Sequence, residues 1–200
     1  DEAQYQTLLR LRDAEGTLRP AGELLPLAEA AGLLHDIDRQ VLEGAITLLG
    51  RHQQGGTPVR LFVSQSPHSL SRDDCADWLL QALDAARVEC SRLVIDVRQD
   101  DALVHAISLQ EFGSKMVPAG VQLCLSHYCP GTEVDALLAQ LPLSFVRLAP
   151  DFSSKLTDSA VRDRMREAIE RAHRHGLLVI GQQVEDPQAA ATLWMSGIDF

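Results

Sequence analysis

Two hundred residues, 46% apolar and 23% charged, suffice for one large globular domain or at most two small ones. A formal net charge of −10 argues against nonspecific hold on DNA, RNA or anionic membrane, yet leaves room for a pocket that takes one small anion. No apolar run approaches the roughly 18–20 residues of a membrane span, and the opening Asp1-Glu2-Ala3-Gln4 shows no basic region or apolar signal segment, so a cytoplasmic location is expected.

Short apolar runs alternate with longer amphipathic ones. Tyr5 to Arg12 reads as a strand, with a turn around Asp13-Ala14-Glu15-Gly16 and a helix over 22–31 that stops at Gly32. Asp36 is the expected N-cap of a long helix carrying Ile37, Val41, Leu42, Ala45, Ile46, Leu48 and Leu49 at helical spacing, broken by Gly55-Gly56. The periodicity then predicts strands over 59–63, 93–97, 121–125, 145–148 and 177–180, and helices over 73–86, 101–112, 134–140 and 158–175. Pro187 opens a last helix through Met195, and Gly197-Ile198-Asp199-Phe200 reads as the start of another strand.

Such alternation implies parallel strands with helical crossovers, either an open doubly wound sheet or a closed barrel. The absence of Gly-x-Gly-x-x-Gly after the first strand weakens the open sheet without excluding it. No linker, repeat or low-complexity tract divides the chain, so one domain is expected, cut from a longer protein and truncated at both ends. Cys124 and Cys129 flank His127 without zinc spacing, and free thiols are the simpler reading of all four cysteines.

In either architecture ligands meet the carboxyl ends of the strands. Those ends carry Gln6 and Arg10, Ser64, Asp96, Ser126 and His127, Arg147, and Gln182. Metal-assisted phosphodiester cleavage needs several carboxylates around one or two divalent cations, and Asp96 is the lone acid in this set. Arginines, amides and hydroxyls suit phosphate recognition better.

Here the residues resemble a known family. Tyr5-Gln6-Thr7-Leu8-Leu9-Arg10-Leu11-Arg12-Asp13 looks like the signature strand of EAL domains, the cyclic-di-GMP phosphodiesterases. Pro26-Leu27-Ala28-Glu29, Ile37-Asp38-Arg39, Val63-Ser64-Gln65-Ser66-Pro67, Leu93-Val94-Ile95-Asp96, Val121-Gln122-Leu123-Cys124-Leu125 and Val179-Ile180-Gly181-Gln182-Gln183-Val184-Glu185 follow in family order. The resemblance implies a modified TIM-type (β/α) barrel. It also implies that the metal ligands and catalytic groups of the family fall on Gln6, Ser64, Asp96, Ser126, His127, Arg147 and Gln182, of which only Asp96 is still an acid. A degenerate, catalytically inactive domain is therefore expected, with no metal and no cofactor.

The resemblance leaves the binding positions in place. It puts Arg10 on a phosphate, Asp38 on a guanine edge, and Leu8, Ser66, Gln182, Gln183 and Glu185 among the ligand contacts, so metal-independent cyclic-di-GMP binding is implied. Simpler roles stand beside these: Arg10 as a surface residue paired with Asp13 or Glu15, Asp38 as an acid of a helix's first turn, His127 as a loop histidine, Arg147 as a phosphate contact or as filler near the mouth, and Trp194 as packing. The sequence resembles the degenerate EAL domains of FimX type. That likeness implies a receptor that relays the nucleotide signal to a PilZ-domain protein in type IV pilus regulation and twitching motility, with receiver, PAS and degenerate GGDEF domains upstream and a homodimer as one possible assembly. A nucleotide-independent interaction scaffold and a weakly active phosphodiesterase are the competing readings.

Overall fold

The structure is a computed structural model that describes residues 3–184 and 187–200. The first predicted strand divides in two. β1 (Ala3–Gln6) ends where Thr7 donates both its N–H and its hydroxyl to the carbonyl of Phe62, at 2.9 and 3.1 Å. The chain then leaves the sheet, and β2 (Arg10–Arg12) pairs antiparallel with β3 (Leu18–Pro20) in a separate two-stranded ribbon. Asp13 closes that ribbon: its carboxylate accepts from the Thr17 N–H at 2.7 Å and from Arg19 at 3.0 Å.

α1 (Ala21–Ala30) runs into α2 (Leu34–Gln54) through Gly32. Asp36 is not the N-cap of α2. The helix already opens at Leu34, because Leu33 is itself in the helical region, and this places Asp36 in the first turn where its charge opposes the helix dipole. Gly56, at φ +72°, then supplies the left-handed step that lets the chain turn into the next strand.

The remainder alternates as expected: β4 (Val59–Ser64), the one-turn α3 (Pro67–Leu70), α4 (Cys75–Ala85), β5 (Leu93–Arg98), α5 (Gln99–Val104), α6 (Ala106–Met116), β6 (Gln122–Tyr128), α7 (Thr132–Gln140), β7 (Phe145–Leu148), the short α8 (Pro150–Ser154), α9 (Ser159–Arg174), β8 (Leu178–Ile180) and α10 (Pro187–Met195). The helix expected over 101–112 is two helices, broken at His105 where ψ is +27°. Residues 197–200 form no ladder strand. They cap the end of β8 through Asp199 N–H to Val179 O at 3.0 Å and Gly181 N–H to Phe200 O at 2.8 Å.

β1, β4, β5, β6, β7 and β8 lie in that order in one parallel six-stranded sheet. Its convex face carries Leu61, Val63, Leu93, Ile95, Val97, Leu123, Leu125, Val146, Leu148 and Val179, all buried in one continuous core. Against them pack helix stripes at i, i+3, i+4, i+7 spacing: Leu42, Ala45, Ile46 and Leu49 of α2, and Met165, Ala168, Ile169 and Ala172 of α9. This layer accounts for most of the apolar burial and fixes the strands from outside.

The concave face holds a smaller cluster of Phe62, Val94, Cys124 and Phe145, with Ile180 beside it. Phe62 and Phe145 sit on strands three intervals apart, about 14 Å on a flat sheet. Their ring centroids are nonetheless 5.2 Å apart, edge to face. The sheet must curl for that contact to form. It is a half-barrel of the expected TIM-like class, with the strand carboxyl ends at one mouth.

Candidate functional site

The strand period of two stacks the concave face into layers. Phe62, Val94, Cys124, Phe145 and Ile180 each lie two residues before Ser64, Asp96, Ser126, Arg147 and Gln182, so an apolar floor sits directly beneath the polar mouth. Arg147 lies over the Phe62 ring at 5.5 Å, and Arg60, on the floor's other side, over Phe145 at 5.7 Å.

At the centre of the mouth the Arg147 guanidinium donates to Asp96 Oδ2 at 2.8 Å. Both side chains are buried, 4% and 1% exposed. The Ser64 hydroxyl donates to the same oxygen at 3.5 Å, while Asp96 Oδ1 has no hydrogen-bond partner. The Cys124 thiol lies under this pair. Full burial, with the Asp96 charge adding to it, pushes its pKa well above the ordinary range, so it stays a neutral thiol.

A cavity of about 350 Å³ opens beside the ion pair, between the edge strands β1 and β8. Of the predicted residues, Gln6, Arg147, Gln182 and Gln183 line it. Gln182 is held by its own amide, which donates to Leu148 O at 2.6 Å, and Gln183 adopts a left-handed backbone at φ +55°. Tyr5, Phe62, Ile180 and Phe200 also line the cavity. Sequence reasoning passed over these apolar members, although the i−2 spacing from Ser64 and Gln182 marks Phe62 and Ile180.

The other predicted positions lie around this centre. Leu8 is 64% exposed in the loop after β1, and Arg10 is exposed on the ribbon, donating to Leu9 O at 3.1 Å. Arg10 therefore does not sit on the sheet's inner face, because the strand ends before it. Its suggested partner Asp13 is taken by Arg19. The Ser126 hydroxyl turns to the carbonyl of Val97 at 3.4 Å. His127 sits on a register shift between β6 and β7 with φ +56°. Burial, reinforced by Arg98, lowers its imidazole pKa, so the ring is neutral near pH 7.

Ser66 is the N-cap of α3, its hydroxyl accepting from the His68 N–H at 3.2 Å. Asp38 is buried, and its carboxylate accepts from the Ser66 N–H at 3.1 Å. As the fifth residue of α2 it lies beyond the first turn. Glu185 lies outside the described residues.

The set does not suit a divalent cation. Its one carboxylate already neutralises a guanidinium, whose positive charge would also repel a cation. The remaining donors are hydroxyls and amides, too weak to hold Mg²⁺ against Arg147. Among the described residues no group of three or more His, Cys, Asp or Glu side chains converges as a metal site. The mouth offers instead a neutralised ion pair, several amides and an apolar floor.

A curled parallel half-barrel with polar strand ends above an apolar floor defines the class as a (β/α)-barrel domain. The EAL domain profile matches residues 1–200, and the chain belongs to the EAL-domain family. It is similar to the crystal structure of the FimX EAL domain from Pseudomonas aeruginosa bound to c-di-GMP, with 29% identity and a TM-score of 0.90 over 98% of this chain and 78% of that one. The FimX EAL domain of Xanthomonas citri in complex with c-di-GMP superposes with a TM-score of 0.91 at 25% identity, over 98% of this chain and 77% of that one. The bifunctional diguanylate cyclase/cyclic di-GMP phosphodiesterase MucR of P. aeruginosa is 26% identical over 76% of this chain and 22% of its own length. The chain spans between 22% and 28% of the length of the curated relatives it matches.

Proposed function

We propose that this EAL domain binds cyclic-di-GMP at the mouth of its half-barrel, without metal, and does not hydrolyse it. The observation that carries the reading is the buried Asp96–Arg147 pair. Hydrolysis by the metal-dependent route needs carboxylates free to hold cations and a base to deprotonate water. Here the one acid is neutralised at 2.8 Å by an arginine. Binding needs less: phosphate donors, a flat apolar surface and hydrogen bonds to base edges. Arg147, Gln6, Gln182 and Gln183 border a cavity floored by Phe62, and Leu8, Arg10, Ser66 and Glu185 are the further contacts suggested by the family pattern. The ligand-bound FimX domains support the choice of nucleotide.

Calorimetric titration with cyclic-di-GMP tests this, run in EDTA and again in Mg²⁺ or Mn²⁺, with chromatography of the nucleotide afterwards. The expected result is the same affinity in all three and intact cyclic nucleotide. Linear dinucleotide appearing only with metal overturns it.

The likeness to FimX domains extends the proposal to a cytoplasmic relay in which nucleotide bound without turnover helps recruit a PilZ-domain protein, in type IV pilus control and twitching motility. Titrating such a partner with and without cyclic-di-GMP checks this step. Equal affinity in both conditions would favour a nucleotide-independent scaffold.

A further inference from the structure

Arg147 and Arg98 both stand at the mouth, and only the first is committed. On β5 the inward face climbs in steps of two residues: Val94 in the apolar floor, Asp96 in the buried ion pair, then Arg98 at the rim, exposed to solvent. Arg147 gives its charge to Asp96. The Arg98 side chain makes no ion pair or hydrogen bond among the described residues, and Asp100, two positions on in the first turn of α5, does not pair with it.

Register puts Arg98 opposite Ser126, one residue before His127. The β6–β7 ladder shifts at His127, which holds a left-handed backbone that only glycine adopts freely. Charges of the mouth and rim reach its ring. After burial itself, Arg98 acts on the imidazole most strongly, ahead of Asp96 and Arg147, and Asp100 acts least. The ring's Nδ1 is buried and has no hydrogen-bond partner. An uncancelled guanidinium thus lies beside an uncommitted imidazole nitrogen. A phosphodiester is a permanent anion with two free oxygens, and it gains most from a cation that no carboxylate has neutralised. The Asp96–Arg147 pair offers such a group donors but no net charge.

We infer that Arg98 is a phosphate-binding residue of the mouth, with the His127 ring as its neighbouring contact. It supplies the positive charge that a donor set with one committed carboxylate cannot gather as metal ions. The inference rests on the nucleotide-binding reading above and adds a residue outside the positions that the family resemblance gave to the ligand.

Calorimetric titration with cyclic-di-GMP compares wild type, Arg98→Gln, Arg98→Glu and Arg166→Gln at two ionic strengths. Arg166 is an exposed arginine of α9 beside Asp163 and serves as the control for overall charge. The expected affinity is about tenfold or more weaker in Arg98→Gln, weaker again in Arg98→Glu, and within about twofold of wild type in Arg166→Gln, as for the loss of one charge-assisted hydrogen bond. Added salt should weaken the wild type more than Arg98→Gln, which has one screened charge fewer. Thermal unfolding midpoints of wild type and Arg98→Gln should coincide, because Arg98 has no protein partner to lose; this separates a ligand contact from a structural role.

Affinity within about twofold of wild type in both Arg98 variants overturns the inference. So does an equal loss in Arg166→Gln, which would leave only the net charge of the domain at work. If the wild-type domain binds no cyclic-di-GMP, the nucleotide reading fails, and pyrophosphate titration followed by NMR at the His127 ring protons decides the site alone. A shift that Arg98→Gln abolishes upholds Arg98 as an anion site, and an absent or Arg98-independent shift overturns it.

Discussion

Asp96 and Arg147 reach one another across the whole of strand β6, from β5 and β7, and form a buried ion pair where the two intervening residues of the floor and mouth, Cys124 and Ser126, carry no charge. Such a pair gains Coulomb energy in a poorly polarisable interior but gives up the hydration of both ions. Removing one partner leaves the other charged and unpaired. Arg147→Met is expected to destabilise the domain by about 3–5 kcal/mol, and Asp96→Leu by a similar amount. The double variant Asp96→Leu/Arg147→Met should recover most of that loss. Urea unfolding of the four proteins checks this; additive losses would show that the pair is not a unit.

Two helical glycines give opposite expectations for the same change. Gly44 lies on the exposed side of α2, and a Cβ there meets nothing within 4 Å. Gly44→Ala should stabilise the domain by about 0.5–1 kcal/mol through the lost entropy of the unfolded chain. At Gly113 of α6 a Cβ falls 2.7 Å from Pro142 Cγ and 3.1 Å from Leu123 Cδ1. A proline ring cannot rotate away, so Gly113→Ala should cost about 1–3 kcal/mol despite the better helix propensity. Thermal or chemical unfolding of both variants provides the comparison.

His127 holds a left-handed backbone at the mouth with φ +56°. A β-branched residue tolerates this least, and glycine most. His127→Val is expected to lose about 1–2 kcal/mol, whereas His127→Gly should be neutral or slightly stabilising. If both variants lose stability equally, the side chain and not the backbone angle decides the position.

The buried Asp38 carboxyl has its pKa raised from 3.8 by burial, with Ser69, the Ser66 N–H and His35 pulling the other way. The folded state thus binds this proton more tightly than the unfolded chain. The stability it contributes is present in acid and is lost as pH rises from the ordinary carboxylate range through the raised folded value. Asp38→Asn does not titrate. Its stability relative to wild type should therefore increase across that window and stay level above it, which denaturant unfolding at a series of pH values would reveal. A difference that is flat with pH would remove the burial argument.

The order of strands and helices was legible because both layers carry regular periods: alternation gave β4 to β8, and the stripes of α2 and α9 recur at helical spacing. The break after Gln6 was hidden. Tyr5 to Arg12 alternates as one strand would, and the departure at Thr7 depends on the Phe62 carbonyl, fifty-five residues away. The β3 segment Leu18-Arg19-Pro20 is fully exposed and shows no period to read. His105 interrupts a helix without proline or glycine to announce it. In the site, the scarcity of acids at strand ends could be counted from sequence alone. That Asp96 would spend its charge on Arg147, and Asp38 its acceptor on Ser66, depends on sheet curvature and loop packing that no local pattern encodes.

The edge-to-face contact of Phe62 with Phe145 spans the hollow of the sheet one layer below the polar groups. Two benzene rings act there as a spacer, setting how far the strands above them stand apart. The aperture is thus calibrated from underneath. A smaller or larger side chain at either position would resize the opening for a different guest while every hydrogen-bonding group around it kept its chemistry.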